Sequence, residues 1–159
     1  MGFALSNMQL TSTAFDQGGS IPSQYTGEGE DISPPLNWSD APEDAQAFAV
    51  ICHDPDAPLI TPQGTYGFVH WALYNIPASI THLAEATSQH TQGQSDFGKP
   101  GYGGPMPPNG HGLHQYYFWI LALDNNQEIE AGLTLWQLLE RIEPSVIGMN
   151  RLVGTYQRD

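Results

Sequence analysis

The side chains best able to do chemistry in this 159-residue chain are few and spread far apart. His70 lies inside GFVHWALYN (67–75), His114 stands just before QYYFWILAL (115–123), and Asp54 and Asp56 belong to HDPDAP (53–58). Each imidazole, neutral or charged, offers at least one N–H, and its charge changes near neutral pH. A carboxylate beside such a ring fixes its orientation, a role open to Asp54. The stretch YGGPMPPNGHGLH (102–114) adds Gly103 and Gly104, where the backbone can approach a ligand closely. Pro107 and Pro108 stiffen that wall, and free N–H groups in such a turn make a concave nest for an anion. With the Tyr116 hydroxyl, this set suits phosphate, sulfate or a carboxylate, and an aspartate can accept from a protonated oxygen or an ammonium. Plainer readings compete for each motif alone: Asp-Pro-Asp as an Asx turn, and a strand histidine as a hydrogen-bonded core residue. A second such histidine on a second central strand tips the balance toward a pocket.

The elements that must position these residues are mostly strands. Alternation and β-branched or aromatic content predict strands over 7–15, 47–53, 67–75, 115–123 and 150–156. In the second of these, DPDAP is expected to stop the strand at once, because proline cannot continue a central strand. Residues 60–66 and 78–101 read as loops, and 18–35 as turn-rich. On the strand at 67–75, Phe68, His70, Ala72 and Tyr74 are expected to share one face. One helix is clear: Thr134 and Gln137 form a capping-box pattern, and Leu135, Leu138, Leu139 and Ile142 form one apolar stripe. Pro144 ends it or starts a second short turn. The fold class that follows is mainly β, an antiparallel β-sandwich with Greek-key connections and one or two short C-terminal helices. No linker or repeat divides the chain, so a single domain over 1–159 is expected.

Composition narrows the partners. Four Lys plus Arg against seventeen Asp plus Glu give a net charge of −13. Such a surface repels nucleic-acid phosphates and anionic lipid surfaces, so neither nucleic-acid binding nor charge-driven membrane docking is expected. A basic protein partner, such as a kinase or protease to be modulated, fits the charge better. Cys52 is the sole cysteine, so no internal disulfide can staple the fold. No apolar run reaches the length of a membrane helix, and the chain reads as cytoplasmic. Met1-Gly2 opens a loose myristoylation pattern that lacks the basic patch a stable anchor needs.

An enzymatic alternative uses His70, His114 and Asp54 as a metal site or an acid–base set, with zinc or iron as the fitting metals. The sequence holds no H-E-x-x-H and no G-x-S-x-G, and no cofactor is implied.

DPDAP (54–58), HW followed by NIP (70–71, 75–77) and Y-x-G-P-x-PP-x-G-x-G-LH-x-Y (102–116) resemble the phosphatidylethanolamine-binding proteins. SPPLNW (33–38) and LVGTY (152–156) look like the bacterial, Raf-kinase-inhibitor-like branch of that family. The resemblance implies an antiparallel β-sandwich, generally non-catalytic, with a pocket for phosphate-like anions and phospholipid headgroups. Carried over by position, the ligand-binding residues are Asp54, His70, Gly104, Pro107, His114 and Tyr116, with Asp56 and Pro58 shaping the rim. A homodimer is the oligomeric state suggested by the bacterial relatives. Two positions depart from the pattern. Gln115 stands where arginine commonly follows the histidine, and Met106 replaces a smaller or different loop residue.

Overall fold

The computed structural model describes residues 3–61 and 64–159, and side chains outside 58–66. Met1-Gly2 and the side chain of Pro58 therefore lie outside the described residues. Among the described residues, eight strands form two antiparallel sheets. Strands β1 (Gln9–Thr11), β2 (Leu36–Ser39) and β5 (His82–Leu83) make the smaller sheet, in the order β1-β2-β5. Strands β3 (Ala47–Thr61), β4 (Gly64–Pro77), β6 (Thr91–Gln92), β7 (His114–Leu123) and β8 (Val146–Tyr156) make the larger, in the order β6-β4-β3-β7-β8.

The alternation of each strand sorts its side chains between two cores. Phe48, Val50 and Cys52 of β3 meet Phe118 and Ile120 of β7 and, across the gap between the sheets, Leu36 and Trp38 of β2. Ala47, Ala49 and Ile51 face the other way, onto Leu138 and Ile142 of helix α1 (Leu135–Ile142). Each large apolar side chain so buried contributes about 1.5–3 kcal/mol. Cys52 is sealed inside the inter-sheet core, with burial raising its thiol well above the ordinary range. Helix α1 starts as the sequence requires, with reciprocal bonds between Thr134 and Gln137. A 3-10 turn over Glu143–Ser145, carrying Pro144, follows it. No helix among the described residues is long and apolar enough to cross a membrane.

Five sequence expectations are corrected. Strand β1 is shorter than 7–15, and β2, which begins in SPPLNW, has the sequence LNWS with buried and exposed residues alternating. DPDAP does not stop β3: the ladder to β4 jumps from Asp54↔Phe68 to Leu59↔Tyr66, so residues 55–58 bulge out and their prolines owe no ladder bond. Consequently β3 and β4 run on as a hairpin through most of 60–66. Strand β8 begins at Val146, four residues earlier than expected.

The fifth correction concerns His70. The β3–β4 register runs Cys52↔Trp71 and then His53↔Val69, leaving His70 as the extra residue of a β-bulge. The single shared face expected for Phe68, His70, Ala72 and Tyr74 is therefore split. Ala72 and Tyr74 belong to the core under α1, whereas His70 joins Phe68 beside Tyr116, a residue of the inter-sheet core. A bulge re-aims a side chain in this way. The backbone groups it frees are satisfied: Gly103 N–H donates to His70 O at 3.0 Å, and Val69 N–H donates to Asp96 Oδ2 at 2.7 Å.

Candidate functional site

Three adjacent strands converge at one end of the inter-sheet core. Strand β3 brings Asp54, the β4 bulge brings His70, and β7 brings His114 and Tyr116 on its core face. All four are buried, at 2%, 3%, 2% and 0% exposure respectively. They line a cavity of about 260 Å³ together with Pro107, Pro108, Met106, Phe97, Phe68 and Ala57. Asp54 and His114 are 60 residues apart in sequence and 2.7 Å apart in space.

A chain of hydrogen bonds fixes the rings. His114 Nδ1 donates to Asp54 Oδ2, and Asp54 Oδ1 accepts from Asp56 N–H at 2.8 Å, an Asx turn at the bulge. Asp56 in turn accepts from Gln115 N–H at 2.7 Å, so it braces the start of β7 and is not among the cavity-lining residues. His70 Nδ1 lies 2.7 Å from Gly103 O. A carbonyl only accepts, so Nδ1 carries the proton and the neutral ring keeps Nε2 as an acceptor. Burial lowers the pKa of His70, against weaker opposing effects from Gly103, Asp54 and Asp31. The Tyr116 hydroxyl is buried with no hydrogen-bond partner among the described residues. Burial and then the Asp54 charge push its pKa far above the ordinary phenol.

The glycines act differently from the expected nest. Gly104 N–H donates to Asp31 Oδ1 at 2.7 Å, and Gly103 N–H is taken by His70 O, so neither is free for an anion. Gly104 is needed because a Cβ there would stand 2.3 Å from Tyr25 O. His111 is the residue that the motif reading passed over. Its Nδ1 lies 2.7 Å from His114 Nε2, so both His114 nitrogens are already engaged. The signal was present in GHGLH, which brackets a second histidine with glycines. With those nitrogens engaged, His114 has no free lone pair for the alternative metal site, whereas His70 Nε2 keeps one; no cluster of three or more His, Cys, Asp or Glu able to hold a metal occurs among the described residues. Gln115 is exposed and lies outside the cavity wall, so the missing arginine is not lost from the pocket lining.

A family model for the phosphatidylethanolamine-binding protein matches residues 11–157. The chain belongs to that family. A UPF0098 protein of Methanothermobacter thermautotrophicus is 40% identical over 158 residues, covering 95% of this chain and 99% of the relative. Among solved structures, a phosphatidylethanolamine-binding protein homolog from Chlamydia trachomatis superposes with a TM-score of 0.86 at 41% identity, covering 97% of this chain and all of the other. YbcL of Escherichia coli, described as a member of the mammalian family, gives 0.84 at 29% identity, with 97% and 100% covered. These likenesses extend over both sheets, and so over every strand that contributes to the cavity.

Proposed function

We propose that this chain is a non-catalytic, cytoplasmic binding protein whose cavity holds the phosphate of a small ligand or a phospholipid headgroup. Asp54, His70, Pro107, His114 and Tyr116 form the wall, while Asp56 and Gly104 support it from behind. The observation that carries the reading is the Tyr116 hydroxyl, a buried donor that meets the geometry of a hydrogen bond with no partner among the described residues, on the wall of a cavity it shares with the Asp54 carboxylate and the His70 imidazole. Leaving such a donor unmet costs about 1–3 kcal/mol, which an oxyanion relieves by accepting from it. Most of the cavity's remaining wall is apolar, so a ligand with a small anionic end and an apolar body fills it best. A kinase or protease partner, basic enough to meet the acidic surface, would be modulated through this pocket.

The proton count sets the pH dependence. An anion meets the Tyr116 O–H directly, but it meets His70 Nε2 only through a proton, brought by the ligand or taken up by the ring. Binding therefore raises the His70 pKa from its lowered value. Affinity rises as pH falls through the window between the bound and free His70 values, and flattens below the lower one. Titration with inorganic phosphate and O-phosphorylethanolamine, followed by histidine side-chain NMR at acid and alkaline pH, tests this. The expected result is a His70 perturbation that strengthens toward acid. Absence of any His70 response to either compound at either pH sinks the reading.

A further inference from the structure

The His111–His114 contact has a property that neither ring has alone. His114 Nδ1 donates to a carboxylate, so only its Nε2 can vary, and that atom faces His111 Nδ1 at 2.7 Å. Two nitrogens at that distance share one proton. The pair can be neutral, with His111 donating to His114. It can also carry one added proton on either ring and keep the bond. When both rings are protonated, each of the two facing nitrogens bears a hydrogen and the bond cannot exist.

The surroundings allow the ring to leave. His111 is exposed, whereas His114 is buried. The flanking Gly110 (φ 70°) and Gly112 (φ 92°) lie in left-handed backbone, and no atom comes within 4 Å of where a Cβ would stand on either. Backbone conformation, not crowding, demands glycine there; His111 N–H is held by Pro108 O at 3.1 Å, so the ring leaves by turning about its own side-chain bonds. The loop is tied at its base by Gly110 N–H to Arg158 O at 3.0 Å and by Arg158 Nη1 to Pro107 O at 3.2 Å. The charged and titratable groups around the pair come from four segments. From β3, Asp54 bonds His114, with Asp56 behind it on Gln115 N–H. From β7, the Tyr116 ring stacks at 6.4 Å from His114. From β4, His70 packs on the same Tyr116. From the C-terminal tail comes Arg158, paired with Glu28.

We propose that His111 is an acid-released latch on the pocket. Near neutral pH it caps His114 Nε2. Once both rings are protonated it swings out, and His114 presents a charged N–H in the cavity wall. The latch itself stands on the geometry of the free protein; its effect on ligands rests on the anion-pocket reading above.

Two measurements separate the two claims. In the ligand-free protein, side-chain nitrogen NMR should show His111 and His114 hydrogen-bonded near pH 7.5 and uncoupled near pH 5. In phosphate titrations, His111→Ala removes the cap at every pH. It should bind inorganic phosphate about two- to twelvefold more tightly than the unaltered protein near pH 7.5, the factor equivalent to a net hydrogen bond of about 0.5–1.5 kcal/mol donated by the P–O–H of monohydrogen phosphate to the bared His114 Nε2. That advantage should vanish near pH 5, where the cap is already gone. His111→Gln keeps an amide cap that acid cannot expel, and should bind more weakly than the unaltered protein at the acid end. A coupled pair at acid pH, or a His111→Ala protein no tighter near neutrality, overturns the latch. If the latch opens but phosphate perturbs none of the three proteins, the anion reading falls and the latch stands.

Discussion

Replacing Tyr116 by phenylalanine removes one oxygen and leaves the ring, which packs in the inter-sheet core with Phe118 and Ile120. The volume change is small, so no cavity term of note arises. What changes is a buried hydroxyl with no partner among the described residues, whose desolvation costs the native state about 1–3 kcal/mol when dry and about zero when a cavity water meets it. Tyr116→Phe is therefore expected to leave stability unchanged or to raise it, by up to about 2 kcal/mol. With a urea m-value of about 2 kcal/mol/M, that moves the unfolding midpoint upward by at most about 1 M. The same change deletes a donor to a bound anion, an interaction of about 1.5–3 kcal/mol, so phosphate affinity should fall about 10- to 150-fold. Urea melts and calorimetric titration on one pair of proteins measure both quantities. A variant that loses more than about 1 kcal/mol of stability while binding phosphate as before would falsify the argument, because the hydroxyl would then be a structural bond and not a ligand donor.

Other perturbations probe the frame around the pocket. His70 has a folded pKa below its unfolded value, so its contribution to stability is present above an ordinary histidine's pKa of about 6.5 and is lost as pH falls through the folded value. His70→Gln should therefore flatten the acid limb of stability against pH in urea melts; His53, lowered by its own burial, supplies the limb that persists. Gly104→Ala drives a Cβ to 2.3 Å from Tyr25 O and 2.8 Å from Thr26 Cα, and should cost about 1–3 kcal/mol by the same assay. A cost under about 0.5 kcal/mol would show that the two segments can part there without strain. Thr134→Ala removes the capping box of α1 and should cost about 1 kcal/mol while leaving phosphate affinity untouched.

Local chemistry made some of this legible. The apolar run before Asp124 gave β7 almost to the residue, and Thr134 with Gln137 gave the start of α1, because strand length and capping are decided by neighbours in sequence. HDPDAP misled for a physical reason. Proline forbids a ladder bond, but a bulge needs none, and nothing local distinguishes a strand that stops from one that bulges. The face of His70 was misread for the same reason, since one extra residue opposite Cys52 and His53 reverses the alternation. The convergence of His70, His114 and Asp54 could be suspected from residue type and from family resemblance. The partners of Gly103 and Gly104 could not, because Asp31 reaches Gly104 across 73 residues of sequence.

The sole thiol of the chain, Cys52, has no exposed surface and sits where the two sheets meet. Packed among side chains of both sheets, it is expected to meet a reagent only when the sheets part. Its rate of modification by a thiol reagent is thus a clock for global opening, readable without any engineered label. Run with and without phosphate, that clock would weigh ligand binding against the whole fold from a position outside the pocket.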